Sequence, residues 1–218
     1  MRKAITLIIM VFTASFIIVG CSAKDRFAKG EVLLTEDFSN IKAWERYVSS
    51  DGTSHLEVVD GVYYFETDDG GYIWALNQQP HTDVVIEVTS NQLTEYENNA
   101  YGVMCRADVS NNGDGYYFLI SGDGYYAIAR GEGDNVNPLV DWDTSSAINK
   151  GVSTNKIRAV CLGDELQLYV NDKFVAAAND ATYSSGYAGF AGTAFDGGTI
   201  TVTFDDLTIW QALPPAEE

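Results

Sequence analysis

The chain has 218 residues, 13 of them basic and 31 acidic, for a formal net charge of −18 at pH 7. A surface this acidic repels nucleic acid and anionic lipid headgroups, so neither is expected as a partner. With only four prolines and no window of a dozen residues showing a capped helical repeat, the composition also argues against a helical protein.

Met1-Arg2-Lys3 precedes an apolar run from Ala4 to Val19, the pattern of a secretory signal peptide over residues 1–20. The run falls short of the roughly 20 apolar residues of a spanning helix. Ile18-Val19-Gly20-Cys21 resembles a bacterial lipobox, which makes Cys21 the residue to be lipidated. The other reading is an uncleaved anchor with an incidental cysteine. Lipidation would hold the protein at the membrane on the outer side of the cytoplasmic membrane, whether at the cell surface, in the periplasm or at an outer membrane. More than one acyl chain suffices for stable anchoring, where a single chain is marginal. Without Arg2 and Lys3, 11 basic residues face the 31 acidic ones. Residues 21–30 read as the lipidated cysteine and a tether, 31–212 as one domain, and 213–218 as a tail.

Short β-prone runs then follow one another: Val32–Phe38, Trp44–Val48, Leu56–Val59, Val62–Glu66, Tyr72–Leu76 and Val84–Thr89. In the last, Val84, Ile86 and Val88 alternate with Val85, Glu87 and Thr89, the period of a sheet with one wet face. The central stretch, Gly115–Arg130, is a hairpin candidate. Tyr116, Tyr117, Phe118 and Ile120 lie before Gly122-Asp123-Gly124, and Tyr125, Tyr126 and Ile128 after it. An Asp-Gly pair predicts a tight primed turn with positive φ at its central residues. Further runs are Leu139–Trp142, Lys156–Leu162, Leu166–Val170, Lys173–Ala178, Tyr187–Ala194 and Thr199–Trp210, with Asp60-Gly61, Gly163-Asp164 and Asn171-Asp172 as turns. Such strands at short spacing predict an all-β sandwich or barrel.

With Cys21 assigned to lipid, Cys105 and Cys161 remain, both in strand-like runs. An even pair in an exported chain favours a disulfide, and two buried thiols are the alternative. His55 and His81 stand apart in sequence, without a nucleophile motif nearby, and read as solvated residues. No His/Cys cluster has zinc spacing. Asp108–Asp114 looks like the start of an EF-hand loop, but its twelfth position is Leu119 rather than Glu, which rules the match out.

For a glycan ligand the chemistry asks for aromatic platforms and planar hydrogen-bonding groups on an exposed sheet face. The candidates are Tyr101, Arg106, Tyr117, Tyr126, Arg130, Asp141 and Trp142. Strand alternation sends neighbours such as Tyr116 and Tyr117 to opposite faces. An aromatic core with surface arginines is the competing reading, and Trp44, Trp74 and Trp210 are assigned to the core.

Glu36-Asp37-Phe38-Ser39, the tyrosine-rich hairpin, Leu168-Tyr169-Val170-Asn171 and Phe204-Asp205-Asp206-Leu207-Thr208-Ile209 together resemble the concanavalin A-like lectin/glucanase superfamily. The resemblance is nearest to its jelly-roll domains of unassigned function in bacterial lipoproteins. It implies an antiparallel two-sheet jelly-roll sandwich with its terminal strands side by side. It also implies a concave sheet face able to carry a carbohydrate, and a structural calcium ion near Asp37 and Asp205. Solvated loop acids are the plainer reading of those two residues. The Glu-x-Asp-x-x-Glu strand of the superfamily's glucanases is absent, so no catalytic residue is assigned. The expected function is a non-catalytic carbohydrate-binding module. A cell-envelope protein-interaction or structural module is the alternative, and a glycoside hydrolase-like enzyme comes third.

Overall fold

The computed structural model describes residues 26–39, 44–110, 112–133 and 135–215, so Cys21 and the leader lie outside the described residues. Among the described residues, fifteen strands form two antiparallel sheets, with one short 3-10 turn. The sheet with nine strands runs β13(Lys173–Asn179), β12(Glu165–Val170), β11(Thr154–Leu162), β6(Val84–Gln92), β15(Ile200–Leu213), β4(Val62–Thr67), β3(Ser54–Val59) and β2(Tyr47–Val48). Its ninth strand, β1(Ala28–Glu36), pairs along β15 from Leu207 to Leu213, beyond the part that β4 occupies. The six-stranded sheet runs β10(Asn135–Thr144), β9(Tyr125–Glu132), β8(Gly115–Ile120), β7(Asn99–Ala107), β14(Gly186–Ala194) and β5(Ile73–His81). This is the two-sheet jelly-roll sandwich that the resemblance implies, with the terminal strands β1 and β15 side by side.

Alternation decides what is buried. Val84, Ile86 and Val88 of β6 and Ile200, Val202 and Phe204 of β15 enter the core between the sheets. Phe190 of β14 lies flat between Trp44, at 4.7 Å, and Phe204, at 4.1 Å between ring centroids. Asp60-Gly61 and Asn171-Asp172 each place two residues at positive φ, as primed two-residue turns require. The central hairpin differs from its expected form. Only Gly124 is left-handed; Ser121 O accepts from Gly124 N and pairing resumes at Ile120↔Tyr126, so the loop is longer than a two-residue turn.

Three further expectations change. β1 starts at Ala28, and Phe27 packs edge-on against Tyr169 at 5.7 Å, so the fold begins before residue 31. His81 is buried, and desolvation pushes its imidazole pKa down. Trp44 is core as expected, whereas Trp74 and Trp210 stay half-buried on outer faces, with Lys29 over the Trp210 ring at 3.7 Å.

Cys105 on β7 and Cys161 on β11 are disulfide-bonded, one on each sheet, across 56 residues of sequence. A loop of that length is worth about 4 kcal/mol through the unfolded chain's entropy. Replacing both cysteines by alanine is expected to lower the urea-unfolding free energy by about that amount. Thiol labelling of the unreduced, unfolded protein should modify neither residue.

Candidate functional site

The outer face of the six-stranded sheet is not an open platform. Met104, Tyr117, Leu119, Ala129 and Ala191 on that face are buried beneath Tyr72, Trp74, Val136, Tyr187 and Phe195. A ligand laid across the middle of this face would have to displace the protein's own side chains. The accessible space lies at the rim instead.

There a cleft of ≈ 230 Å³ is lined by Asn98, Asn99, Ser121, Asp123, Tyr125, Trp142 and Phe195. Pairing in β10 slips between Val140 and Asp143, placing an extra residue there, and this bulge presents Trp142. Trp142 is 38% exposed and meets Phe195 edge-on at 6.3 Å; Tyr125 is 40% exposed. Phe195 opens the 3-10 turn Phe195–Gly197 that joins the two sheets. That turn is fastened from both sides. Phe195 N donates to Asn98 O at 3.1 Å, Tyr96 Oη donates to Phe195 O, and Asn98 Nδ2 donates to Asp196 Oδ2 at 2.8 Å. A Cβ on Gly198 would lie 2.1 Å from the Tyr96 ring, so a side chain there would have to displace that ring. Beneath the cleft, Asn99 Oδ1 accepts from Gly122 N at 3.1 Å, and Ser121 Oγ donates to Asp123 Oδ1. The rim thus sets aromatic faces beside two amides, a hydroxyl and a single lining carboxylate.

The structure separates the residues expected to bind together. Trp142 lines the cleft and Asp141 is its exposed neighbour on β10. Tyr101 faces the inter-sheet core, fully buried, its phenol pKa pushed up to about 12 by desolvation. Tyr117 is buried on the outer face, donating to Gly113 O at 2.8 Å, and Tyr126 packs against the inter-sheet core. Arg106 has φ 52 at a bulge in β7 and is buried. It donates to Thr82 O at 3.0 Å, Gly163 O at 2.8 Å, Tyr183 O at 3.0 Å and Asp83 Oδ1 at 2.9 Å. It rivets three connections together and is removed from the ligand list. Arg130, near the end of β9, is paired with Glu132 at 2.7 Å and Asp180 at 2.6 Å.

Hydrogen bonds from the Ser39 hydroxyl and from Ser39 N, the latter at 3.0 Å to Asp37 Oδ1, hold the Asp37 carboxyl below the usual range. Among the described residues no three His, Cys, Asp or Glu side chains are grouped to hold a metal. Asp37 and Asp205 would supply at most four of the six to eight oxygens that calcium takes, and backbone carbonyls or water would have to supply the rest.

Phe195, Asn98, Asn99, Ser121, Asp123 and Tyr125 were not legible as site residues. The one signal was the turn chemistry of Gly122-Asp123-Gly124 and of Asp196-Gly197-Gly198, which marks loops without saying what they face.

In fold the chain is an antiparallel β-sandwich similar to galectin-like and carbohydrate-binding-module structures. No protein-family model matches the chain, and no curated protein matches it. Among solved structures it is similar to the carbohydrate-binding module CBM66 from Bacillus subtilis, with 17% identity and a TM-score of 0.61 over 79% of this chain and 98% of that one. A Bacillus subtilis protein of unknown function with a galectin-like fold gives 11% identity and 0.61 over 86% and 99%. A putative glycosyl hydrolase from Parabacteroides distasonis gives 10% and 0.53 over 81% and 90%. At these identities the likeness is one of fold.

Arg106→Ala is expected to destabilise the protein by about 3 kcal/mol in urea unfolding, from the lost charged hydrogen bonds, and to leave the rim cleft intact. Asp180 gives a pH signature. Burial works to raise its pKa, but hydrogen bonds from Tyr116, Thr182 and Arg130 prevail and hold it at about 2. A folded value below the unfolded one stabilises at higher pH and is lost as pH falls from about 4 to about 2, some ~2 kcal/mol in all. Asp180→Asn should remove that part of the acid-unfolding curve.

Proposed function

We propose that this chain is a non-catalytic carbohydrate-binding module, tethered through a lipidated Cys21 outside the cytoplasmic membrane, that holds a sugar unit in the rim cleft. One observation carries the reading: Trp142 and Tyr125, both substantially exposed, flank a cleft whose other walls are Phe195 and the polar groups of Asn98, Asn99, Ser121 and Asp123. An aromatic face offers a surface for the C–H side of a pyranose or furanose ring, and the amides and hydroxyl offer partners for its hydroxyls. The cleft is smaller than the roughly 300–1,000 Å³ of drug-sized pockets, which suits a single sugar unit. Asp123 is the one carboxylate in the lining, and glycoside hydrolysis calls for two. The carbohydrate-binding module among its structural neighbours supports the same reading.

The lipid tether is supported by Ile18-Val19-Gly20-Cys21, only a few residues ahead of β1 at Ala28. The Cys105–Cys161 bridge belongs with an oxidising compartment. A protein-docking role has less behind it. The most exposed large apolar side chains among the described residues, Val109, Val32 and Val152, lie in different stretches of the chain, Val32 on β1 and the other two outside the strands.

A glycan array screened with the purified protein should return hits that persist in EGTA. Trp142→Ala should weaken each of them at least tenfold, ~1.4 kcal/mol, with circular dichroism unchanged. A blank array with folded protein would end this reading.

A further inference from the structure

The aromatic surface does not stop at Phe195. Tyr72 meets Phe195 edge-on at 6.3 Å and Tyr117 at 5.8 Å, carrying the line from the rim cleft towards β5. At its far end Tyr47, Tyr72, Ile73 and Trp74 line a second cleft of ≈ 200 Å³. A neighbouring recess of ≈ 400 Å³ is lined by Trp44, Glu45, Arg46, Tyr47, Trp74 and Gln78. The two share Tyr47 and Trp74 and form one depression along the border between β2 and β5.

Trp44 supplies the observation that points to a ligand. It is 6% exposed and fixed by its stack on Phe190 at 4.7 Å, yet its indole Nε1 is buried without a hydrogen-bond partner among the described residues. Buried donors are nearly always satisfied, because leaving one unpaired forfeits its bond to water with nothing in return. This donor belongs to a residue lining the recess, and a bound molecule that parts the side chains over it would complete it. The surroundings have the same character. Tyr47 is 50% exposed, Trp74 is half-buried, Gln78 is exposed, and Arg46 is exposed and paired with Glu57. Gln78 is also held at φ 56, where the pairing of β5 with β14 slips. Aromatic faces, an unmatched N–H donor, an amide and a guanidinium within one recess suit a ring that is apolar on its faces and hydroxylated at its edge.

We infer that the Trp44–Tyr47–Trp74 depression is a second glycan subsite. With the rim cleft it takes up a single chain, so that the ligand is an oligosaccharide and not an isolated sugar. The inference rests on the glycan reading of the rim cleft. The link between the subsites is the Trp142–Phe195–Tyr72 line of rings.

The test is calorimetric titration of the purified protein with cello-, laminari-, xylo-, manno- and fructo-oligosaccharides, each series running from disaccharide to hexasaccharide. In one series affinity is expected to climb with length by about tenfold or more, as a second anchored ring adds its contact. Tyr47→Ala and Trp74→Ala should each bring the longer chains down to the affinity of the disaccharide and leave the disaccharide itself unchanged. Trp142→Ala should weaken every length. The Trp44 indole proton resonance should shift with the hexasaccharide and stay in place with the disaccharide. Tyr47 is a surface residue, so its removal reports on binding even if Trp74→Ala fails to fold. Affinity independent of length, or a length dependence that survives Tyr47→Ala, would overturn the second subsite and leave the rim cleft standing. If no series binds the wild-type protein, both readings fall.

Discussion

Phe190 is the side chain on which the two sheets close. Its ring lies within 14° of parallel to Trp44 on one side and 7° to Phe204 on the other, and Phe38 and Tyr63 tilt against the same pile. Phe190 is on β14 of one sheet and Phe204 on β15 of the other, while Trp44 arrives from the segment before β2. Three parts of the chain are thereby fixed at one spacing by contacts that are fully dehydrated, the condition under which aromatic area contributes most. β14 and β15 are consecutive strands in different sheets, so the connection between them is short and its path is set by this stack. That connection is the turn bearing Phe195. Core closure and the mounting of the rim cleft therefore have one cause.

The filled outer face follows from the same economy of apolar surface. A six-stranded sheet has two faces, and here Tyr117, Met104 and Leu119 on the side away from the partner sheet are as dry as the core. Tyr72, Trp74 and Phe195 achieve this by lying over them. Covering rings are in turn half-buried: one edge packs downward and the other meets solvent. This leaves exposed aromatic surface at the margins of the sheet, where Trp142, Tyr125 and Tyr47 also lie, and withdraws it from the middle.

Much of the architecture was legible because period-2 alternation and turn chemistry are local. Val84, Ile86 and Val88 could be assigned to one face from spacing alone, and Asp60-Gly61 and Asn171-Asp172 declared their turns. The disulfide was legible as the even pair of cysteines in strand-like runs. The site was less so. Bulges break the alternation without a local signal. The one at Arg106 turns two successive residues, Cys105 and Arg106, away from the outer face, so an arginine that counts as a ligand by parity becomes a rivet. The one in β10 lifts Trp142 into the cleft. Alternation also said that Tyr116 and Tyr117 must part, but not that both destinations would be dry. Phe195 depended on Tyr96 and Asn98, about 100 residues earlier, and no pattern within a strand reveals a partner at that distance.

The disposition of charge narrows the chemistry of the ligand. In a chain with 31 acidic and 13 basic residues, cations that might hold an anion are scarce, and several of those described are already committed. Arg106 is bound to Asp83 and three carbonyls, Arg130 to Asp180 and Glu132, and Arg158 to Glu87 and Asp172, each at 2.6 Å. The rim lining has one carboxylate and no basic side chain. On the proposed glycan reading, a sulfated or sialylated chain would approach that cleft against the field of the whole protein. A neutral sugar encounters no such opposition. Its hydroxyls meet amide and carboxylate partners that lose little by exchanging water for them, and its ring meets Trp142. An acidic surface thus disfavours anionic ligands at the proposed glycan site.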